Sequence, residues 1–277
     1  MTTTAMSKSL TGQRHGGVLK LHRDCGFGEV SNPPRLARTS TVVGPCLASA
    51  SSAPSYLTIG GGAHSAGGGG QGGARNRADR DSYALTVAQV ANLIAAERYA
   101  QAIGLPFTRM VTIHWQAAGV PLAGMAKATG RFLDLMSKAL ARHGSPTAWI
   151  WTHESATAKG QDKGGHCHML AHVPAPLVAV VANLQRGWLR RITGQPYRAR
   201  VILSKPIGGR LGLETGNPQL HAVNLQVAFG YLLKGASQEA AAQFGLERLE
   251  PGGRVIGKRC GTSQNIGAKA RNAQVQA

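Results

Sequence analysis

The stretch 164–174 limits the fold of this chain more than any other, because it reads as a short strand with two different faces. It follows a glycine pair, reads Gly-Gly-His-Cys-His-Met-Leu-Ala-His-Val-Pro, and ends at a proline. Alternate residues of a strand project to the same side, so His166 and His168 point away from the side occupied by Cys167. Paired imidazoles opposite an apolar face predict a metal site on a sheet that covers a core.

The segments on either side of this strand predict a mixed α/β (α+β) fold with an antiparallel central sheet backed by helices. Segments rich in strand-forming residues predict strands over 107–114, 147–154 and 198–205. Apolar periodicity and capping signals predict one helix from the Thr86 capping box to Gly104, and others over 122–142, 178–192 and 217–235. Tyr231 and Lys234, three residues apart, share one face of the last helix.

A short polar loop joins the strand 147–154 to the histidine strand, which predicts an antiparallel hairpin. The end of the first strand then lies near the start of the second. Glu154, or failing that His153, is therefore a candidate third metal ligand beside His166 and His168.

The composition divides the chain into three parts. Residues 1–82 are of low complexity, rich in Gly and Ser, and include the glycine runs 60–62 and 67–70. Such a segment buries too little apolar surface to offset the entropy of ordering, so we expect it to be disordered. We expect one folded domain over 83–250 and a basic C-terminal tail over 251–277.

The charge balance points to a polyanionic partner. The chain has 31 Lys+Arg against 12 Asp+Glu, with a formal net charge of +19. No acidic residue occurs between Lys163 and Arg210, a segment that carries several arginines, or from Pro251 to the end. Nucleic acid is the partner that such a surface favours.

Other classes of protein fit the sequence less well. The 4 cysteines form no Cys-x-x-Cys pair, which argues against a zinc finger. No run approaches the length of a membrane span and no secretion signal is recognisable, so we expect a cytoplasmic protein with no membrane partner. No Gly-Lys-Ser/Thr follows the glycine runs, so neither a phosphate-binding loop nor a helicase region is predicted.

Three motifs occur in a fixed order on the predicted strand, strand and helix. They are Phe-Thr-Arg-Met-Val-Thr at 107–112, His-Cys-His at 166–168 and Tyr-Leu-Leu-Lys at 231–234. This order resembles the HUH endonuclease superfamily, specifically its rolling-circle replication initiators with a single tyrosine, over about half of the chain. Two departures are the cysteine between the histidines and the extra Arg-Met in the first motif.

The resemblance implies a fold related to the RNA-recognition fold, an HUH nuclease domain over 83–250, and a specific chemistry. A divalent ion, Mg²⁺ or Mn²⁺, would be held by His166, His168 and Glu154. Tyr231 would attack the scissile phosphate and form a 5′-phosphotyrosine link, helped by Lys234. By ligand softness alone, the set also suits Zn²⁺.

The implied substrate is single-stranded or melted origin DNA, with unwinding by a separate helicase. An HUH transposase or relaxase would share the site. A non-catalytic basic nucleic-acid-binding module is an alternative from another class. A metal-dependent hydrolase is disfavoured by the shortage of acidic residues after Asp162. Oligomeric state and the recognised DNA sequence are not readable from the chain.

Overall fold

The computed structural model describes residues 80–156 and 162–275, and a five-stranded antiparallel sheet is its central feature. The strands are β1 (Asp81–Ser82), β2 (Arg109–His114), β3 (Trp149–Ala156), β4 (Asp162–Ala171), β5 (Ile202–Pro206), β6 (Val255–Ile256) and β7 (Cys260–Thr262). The sheet order is β5-β2-β4-β3-β7, and each neighbouring pair is antiparallel. The histidine strand β4 is thus central, and the predicted fold class is confirmed.

Helices cover both faces of the sheet. They are α1 (Val87–Ala102), α2 (Leu122–Ala141), α3 (Val178–Thr193), α4 (Leu213–Gly216), α5 (Pro218–Leu233), α6 (Gln238–Phe244) and α7 (Ala268–Val275). Cys167 and Met169 of β4 pack with residues of α2 and α3 in one core, as their alternation predicts. Ile150 and Leu170 pack with residues of α1 and α5 in a second core, on the opposite face.

Local signals place the starts of two helices correctly. Thr86 and Gln89 form a reciprocal capping box at the start of α1. The Asn217 side chain accepts a hydrogen bond from the Leu220 N–H at the start of α5, and Pro218 occupies the first turn. No helix in the described part of the chain has the length and apolarity needed to cross a membrane.

The strand predicted over 198–205 is shorter than expected. Arg200 has a φ of 66° in a turn, and β5 begins only at Ile202. A side chain at positive φ is unfavourable and incompatible with a strand, so the chain turns before it pairs with β2.

The segment 251–277, expected to be a basic tail, instead supplies two strands in its described part. β7 pairs with β3 at the edge of the central sheet, and β6 pairs with β1. Gly261 permits the close pairing of β7 with β3, because it has no Cβ atom. A Cβ atom at this position would lie only 2.9 Å from the Trp151 ring. The Arg259 side chain is buried and donates hydrogen bonds to backbone oxygens, including that of His153.

The amino-terminal boundary also differs from the expected one. Residues 81–82 form β1, whereas we expected the folded domain to start at 83. The predicted disorder of the remaining segment concerns residues that lie outside the described ones.

Candidate active site

The pairing of β3 with β4 brings the three candidate metal ligands together. Glu154 lies directly opposite His166, and His168 follows on the same face. The Glu154 Oε2 atom is 3.4 Å from the Nε2 atom of each imidazole. The candidate ligand atoms lie within 4.8 Å of one another, and all three residues are buried. This is a compact set of two nitrogens and a carboxylate.

His153, the alternative third ligand, lies on the other face of the sheet. Its ring nitrogens contact the Thr129 hydroxyl at 2.8 Å and the Lys258 carbonyl oxygen at 2.9 Å. Burial lowers the pKa of His153 to about 3, so its ring is neutral at physiological pH. His153 completes a buried hydrogen-bond chain and does not face the site formed by His166, His168 and Glu154.

Contacts behind the two imidazoles orient them toward Glu154. The Nδ1 atom of His166 is 3.0 Å from the Gly164 carbonyl oxygen, which can only accept a hydrogen bond. The proton of the neutral ring is therefore on Nδ1, and Nε2 keeps its lone pair. The Nδ1 atom of His168 is similarly held, 3.0 Å from the Thr112 hydroxyl. Such support behind the ring is typical of metal-binding histidines.

Two buried atoms at this point lack a hydrogen-bond partner among the described residues. They are the Oε1 atom of Glu154 and the Nε2 atom of His168. A buried polar atom without a partner costs about 1–3 kcal/mol. A divalent cation would satisfy both, and imidazole with carboxylate is a donor set that such ions accept. The residues present therefore fit a metal ion.

The protonation states are those that a metal site needs. Burial raises the pKa of Glu154, but the neighbouring side chains of His166, His168 and Lys234 outweigh burial and hold the pKa below its usual value. Burial lowers the pKa of His168. At neutral pH the carboxylate is ionised and this imidazole is neutral, which are the forms that bind a cation.

Lys234, at the end of α5, lies between two carboxylates. Its buried ammonium contacts the Glu154 Oε2 atom closely and is 3.1 Å from the Glu250 Oε2 atom. Burial lowers its pKa, but these ion pairs outweigh burial and raise the pKa above its usual value. Lys234 is therefore a firmly protonated neighbour of the candidate metal ligands.

Tyr231 stands on the same face as the imidazoles. Its ring packs edge-on against that of His168, with the ring centroids 4.9 Å apart. The Lys234 Nζ atom and the Arg248 Cζ atom each lie 4.9 Å from the Tyr231 ring centroid. Burial raises the pKa of the phenol, although the Lys234 charge acts to lower it. The structure thus brings all five predicted site residues together.

Three neighbours of this site were not predicted from the sequence. His114, the last residue of β2, pairs with His166 across the sheet, and their ring centroids are 5.5 Å apart. Glu250 is held beside Lys234 by a backbone hydrogen bond of 2.7 Å, and Arg248 accompanies it. His114 could have been predicted as a neighbour of the site, because it is the last residue of a strand that lies next to β4. No spacing pattern in the sequence points to Glu250 or Arg248.

Comparisons with known proteins add little to this picture. No protein-family model matches the chain, and no curated protein sequence matches it. Among solved structures, the chain is similar to the N-terminal nuclease domain of non-structural protein 1 of minute virus of mice, described as having Zn²⁺ coordination in its active-site pocket. The TM-score is 0.25 with 8% identity, over 60% of this chain and 78% of that one. A similarity this low carries no argument for the site.

Proposed function

We propose that this chain is a metal-dependent endonuclease of the HUH type, which nicks and rejoins single-stranded DNA through Tyr231. The observation that carries the proposal is the contact between the Tyr231 and His168 rings, 4.9 Å apart at their centroids. This contact supports the proposal because it brings a phenol beside the buried candidate ligand atoms on one face of a sheet. A non-catalytic nucleic-acid-binding module has no need of this convergence.

His166, His168 and Glu154 would hold the cation, Mg²⁺ or Mn²⁺. When bound, such an ion supplies Lewis-acid polarisation of a non-bridging oxygen of the scissile phosphate. The protein's own contribution is a buried, ionised carboxylate and imidazoles held by Gly164 and Thr112. These supports fix the ligand atoms before any substrate arrives.

Tyr231 would act as the nucleophile. Its phenolic oxygen forms a bond to phosphorus while the bond from phosphorus to the 3′-oxygen breaks, which leaves a 5′-phosphotyrosine and a 3′-hydroxyl. The phenol proton leaves to water and the departing 3′-oxygen takes up a proton. The new ester keeps the energy of the phosphodiester, so attack by a 3′-hydroxyl can rejoin the strand without ATP.

Lys234 would supply positive charge rather than a base. Ion pairing with Glu154 and Glu250 raises the pKa of Lys234, so the side chain stays an ammonium near neutral pH. It therefore has no lone pair with which to accept the Tyr231 proton. Burial raises the pKa of the Tyr231 phenol, and the Lys234 charge acts against that rise and would also stabilise the negative charge that gathers around phosphorus.

At the level of biology, we propose initiation of rolling-circle replication on single-stranded or melted origin DNA. The Tyr-x-x-Lys spacing of α5 supports this choice over a transposase or relaxase with the same site. No phosphate-binding loop is recognisable in the sequence, so duplex unwinding would come from a separate helicase.

A covalent-adduct assay tests this function. The protein is incubated with Mn²⁺ and a pool of single-stranded oligonucleotides, and a denaturing gel is inspected for a protein band of reduced mobility. We expect the band for the natural sequence but not for Tyr231→Phe or for the double variant His166→Ala/His168→Ala.

Tyr99→Phe is the matched control, because Tyr99 lies on α1, which contributes none of the candidate site residues, and packs against the second core. It should form the adduct at the natural rate. If Tyr231→Phe forms as much adduct as the natural protein, the nucleophile is wrongly assigned. If the natural protein binds DNA but forms no adduct, the chain is a binding module.

A further inference from the structure

An open groove of about 790 Å³ lies at the carboxyl end of α3. It is lined by Arg186, Arg190, Gly194, Gln195, Pro196 and Tyr197. We call this lining, together with the exposed Arg198 and Arg200 that follow it, the arginine groove. Its volume is that of a site for a small ligand or a piece of a polymer.

The charges of the arginine groove are not neutralised by carboxylates. Its four arginines are exposed, and none takes part in an ion pair of the described residues. The segment from 164 to 210 has no acidic residue to supply one. Four like charges kept together and facing solvent favour a polyanion.

The arginine groove lies at the same end of the sheet as the candidate metal ligands. Val201, which follows it, accepts a hydrogen bond of 2.8 Å from the His114 N–H, and His114 is paired with His166. The Arg198 guanidinium donates to the Ala117 carbonyl oxygen at 3.3 Å, in the turn after β2. One strand, β2, therefore lies between the backbone that follows the groove and the histidine strand, while α3 itself packs on the opposite face of the sheet from the imidazoles.

One feature favours a single strand over a duplex. The Tyr197 ring lines the groove with the Arg186 Cζ atom 5.4 Å from its centroid, which is an aromatic platform of the kind on which unpaired bases stack.

We infer that the arginine groove binds the single-stranded DNA that flanks the scissile phosphate, with phosphates on its arginines and one base on Tyr197. The inference rests on the proposed function and names the surface that holds its substrate. Binding at this surface can be measured without cleavage, so the two can fail separately.

The test uses the full chain with Tyr231→Phe, and measures the binding of a fluorescent oligothymidylate by anisotropy over a range of salt concentrations. We expect Arg186→Ala/Arg190→Ala/Arg198→Ala to weaken binding at least tenfold. The slope of log K against log salt should fall by about 2, since each lost phosphate contact on a single strand removes about 0.7.

The matched control removes three exposed charges elsewhere, with Arg98→Ala/Arg142→Ala/Lys269→Ala. It should change affinity less than threefold. Tyr197→Ala should weaken binding by roughly fivefold to 150-fold, the range for loss of one stacked base, while Tyr197→Phe should bind normally.

The inference is overturned if the groove variant binds the single strand no worse than the control variant. That result would count against the groove even if the natural protein forms the Tyr231 adduct. It is also overturned if the groove variant loses affinity for a duplex of equal length but not for the single strand. If no adduct ever forms but the groove variant loses single-strand binding as described, the surface is right and the nuclease assignment is wrong.

Discussion

Glu154 is the residue on which the candidate site depends, since one buried carboxylate faces two imidazoles and an ammonium. Its Oε2 atom contacts Lys234 and lies 3.4 Å from both histidine Nε2 atoms. Removing one partner of a buried ion pair is costly, because the remaining charge is left uncompensated. Lys234 therefore stabilises the metal-free protein at the place where a cation would bind.

Replacing Lys234 by methionine should make the protein depend more strongly on metal. Without the ammonium, the buried Glu154 carboxylate loses its cation, and the free energy of unfolding in EDTA should fall by about 3–5 kcal/mol. A divalent cation compensates the same charge, so Mn²⁺ should raise the Tm of Lys234→Met more than that of the natural protein. Thermal unfolding followed by circular dichroism measures both.

Lys138→Met is the control for this prediction, because Lys138 forms an exposed ion pair with Asp134 one helical turn away. An exposed pair of this kind contributes about 0–1 kcal/mol, so the control should unfold like the natural protein. His166→Ala/His168→Ala should lose the Mn²⁺ effect. An equal Mn²⁺ shift in Lys234→Met and the natural protein would contradict this view of Lys234.

At the scale of elements, strong local signals in the sequence made individual helices and strands predictable. The Thr86 capping box, Asn217-Pro218 and the alternation in β4 each act within a few residues, and the structure confirms the elements that they predict. β7 has only three residues, Cys-Gly-Thr, and no period to detect. Its place at the sheet edge depends on pairing with β3 across more than a hundred residues of chain, which local signals do not encode.

Cys260 reports on whether β7 belongs to the sheet. Cys260 is buried, and that burial raises its pKa to about 11. A protein with Cys25→Ser, Cys46→Ser and Cys167→Ala leaves Cys260 as its single thiol. The thiolate is the reactive form, so the native thiol should react with a disulfide reagent at pH 8 on the order of a hundredfold more slowly than in urea. The rate should rise with pH toward 11.

Reaction of the native thiol at the rate of the urea-unfolded protein would show that β7 is not in the sheet. The segment from 251 onward would then be the basic tail that composition alone suggested.

At the scale of the whole molecule, the sequence predicted the residues of the candidate site better than the residues that surround them. His166, His168, Tyr231 and Lys234 could be found because their spacings are local, and Glu154 because a short hairpin brings strand ends together. His114, Glu250 and Arg248 reach the site only through tertiary contacts. The same limit applies to the arginine groove, whose charges are visible in the sequence but whose position next to β2 is not.

The proposed reaction requires that DNA becomes covalently linked to the phenol of one tyrosine, Tyr231. Mapping the adduct by mass spectrometry after trypsin digestion tests this most directly. We expect a 5′-phosphate-linked nucleotide on Tyr231, within the peptide 211–234, together with release of a DNA fragment that ends in a 3′-hydroxyl. Attachment at another residue, or cleavage by water with no protein-linked product, would contradict it.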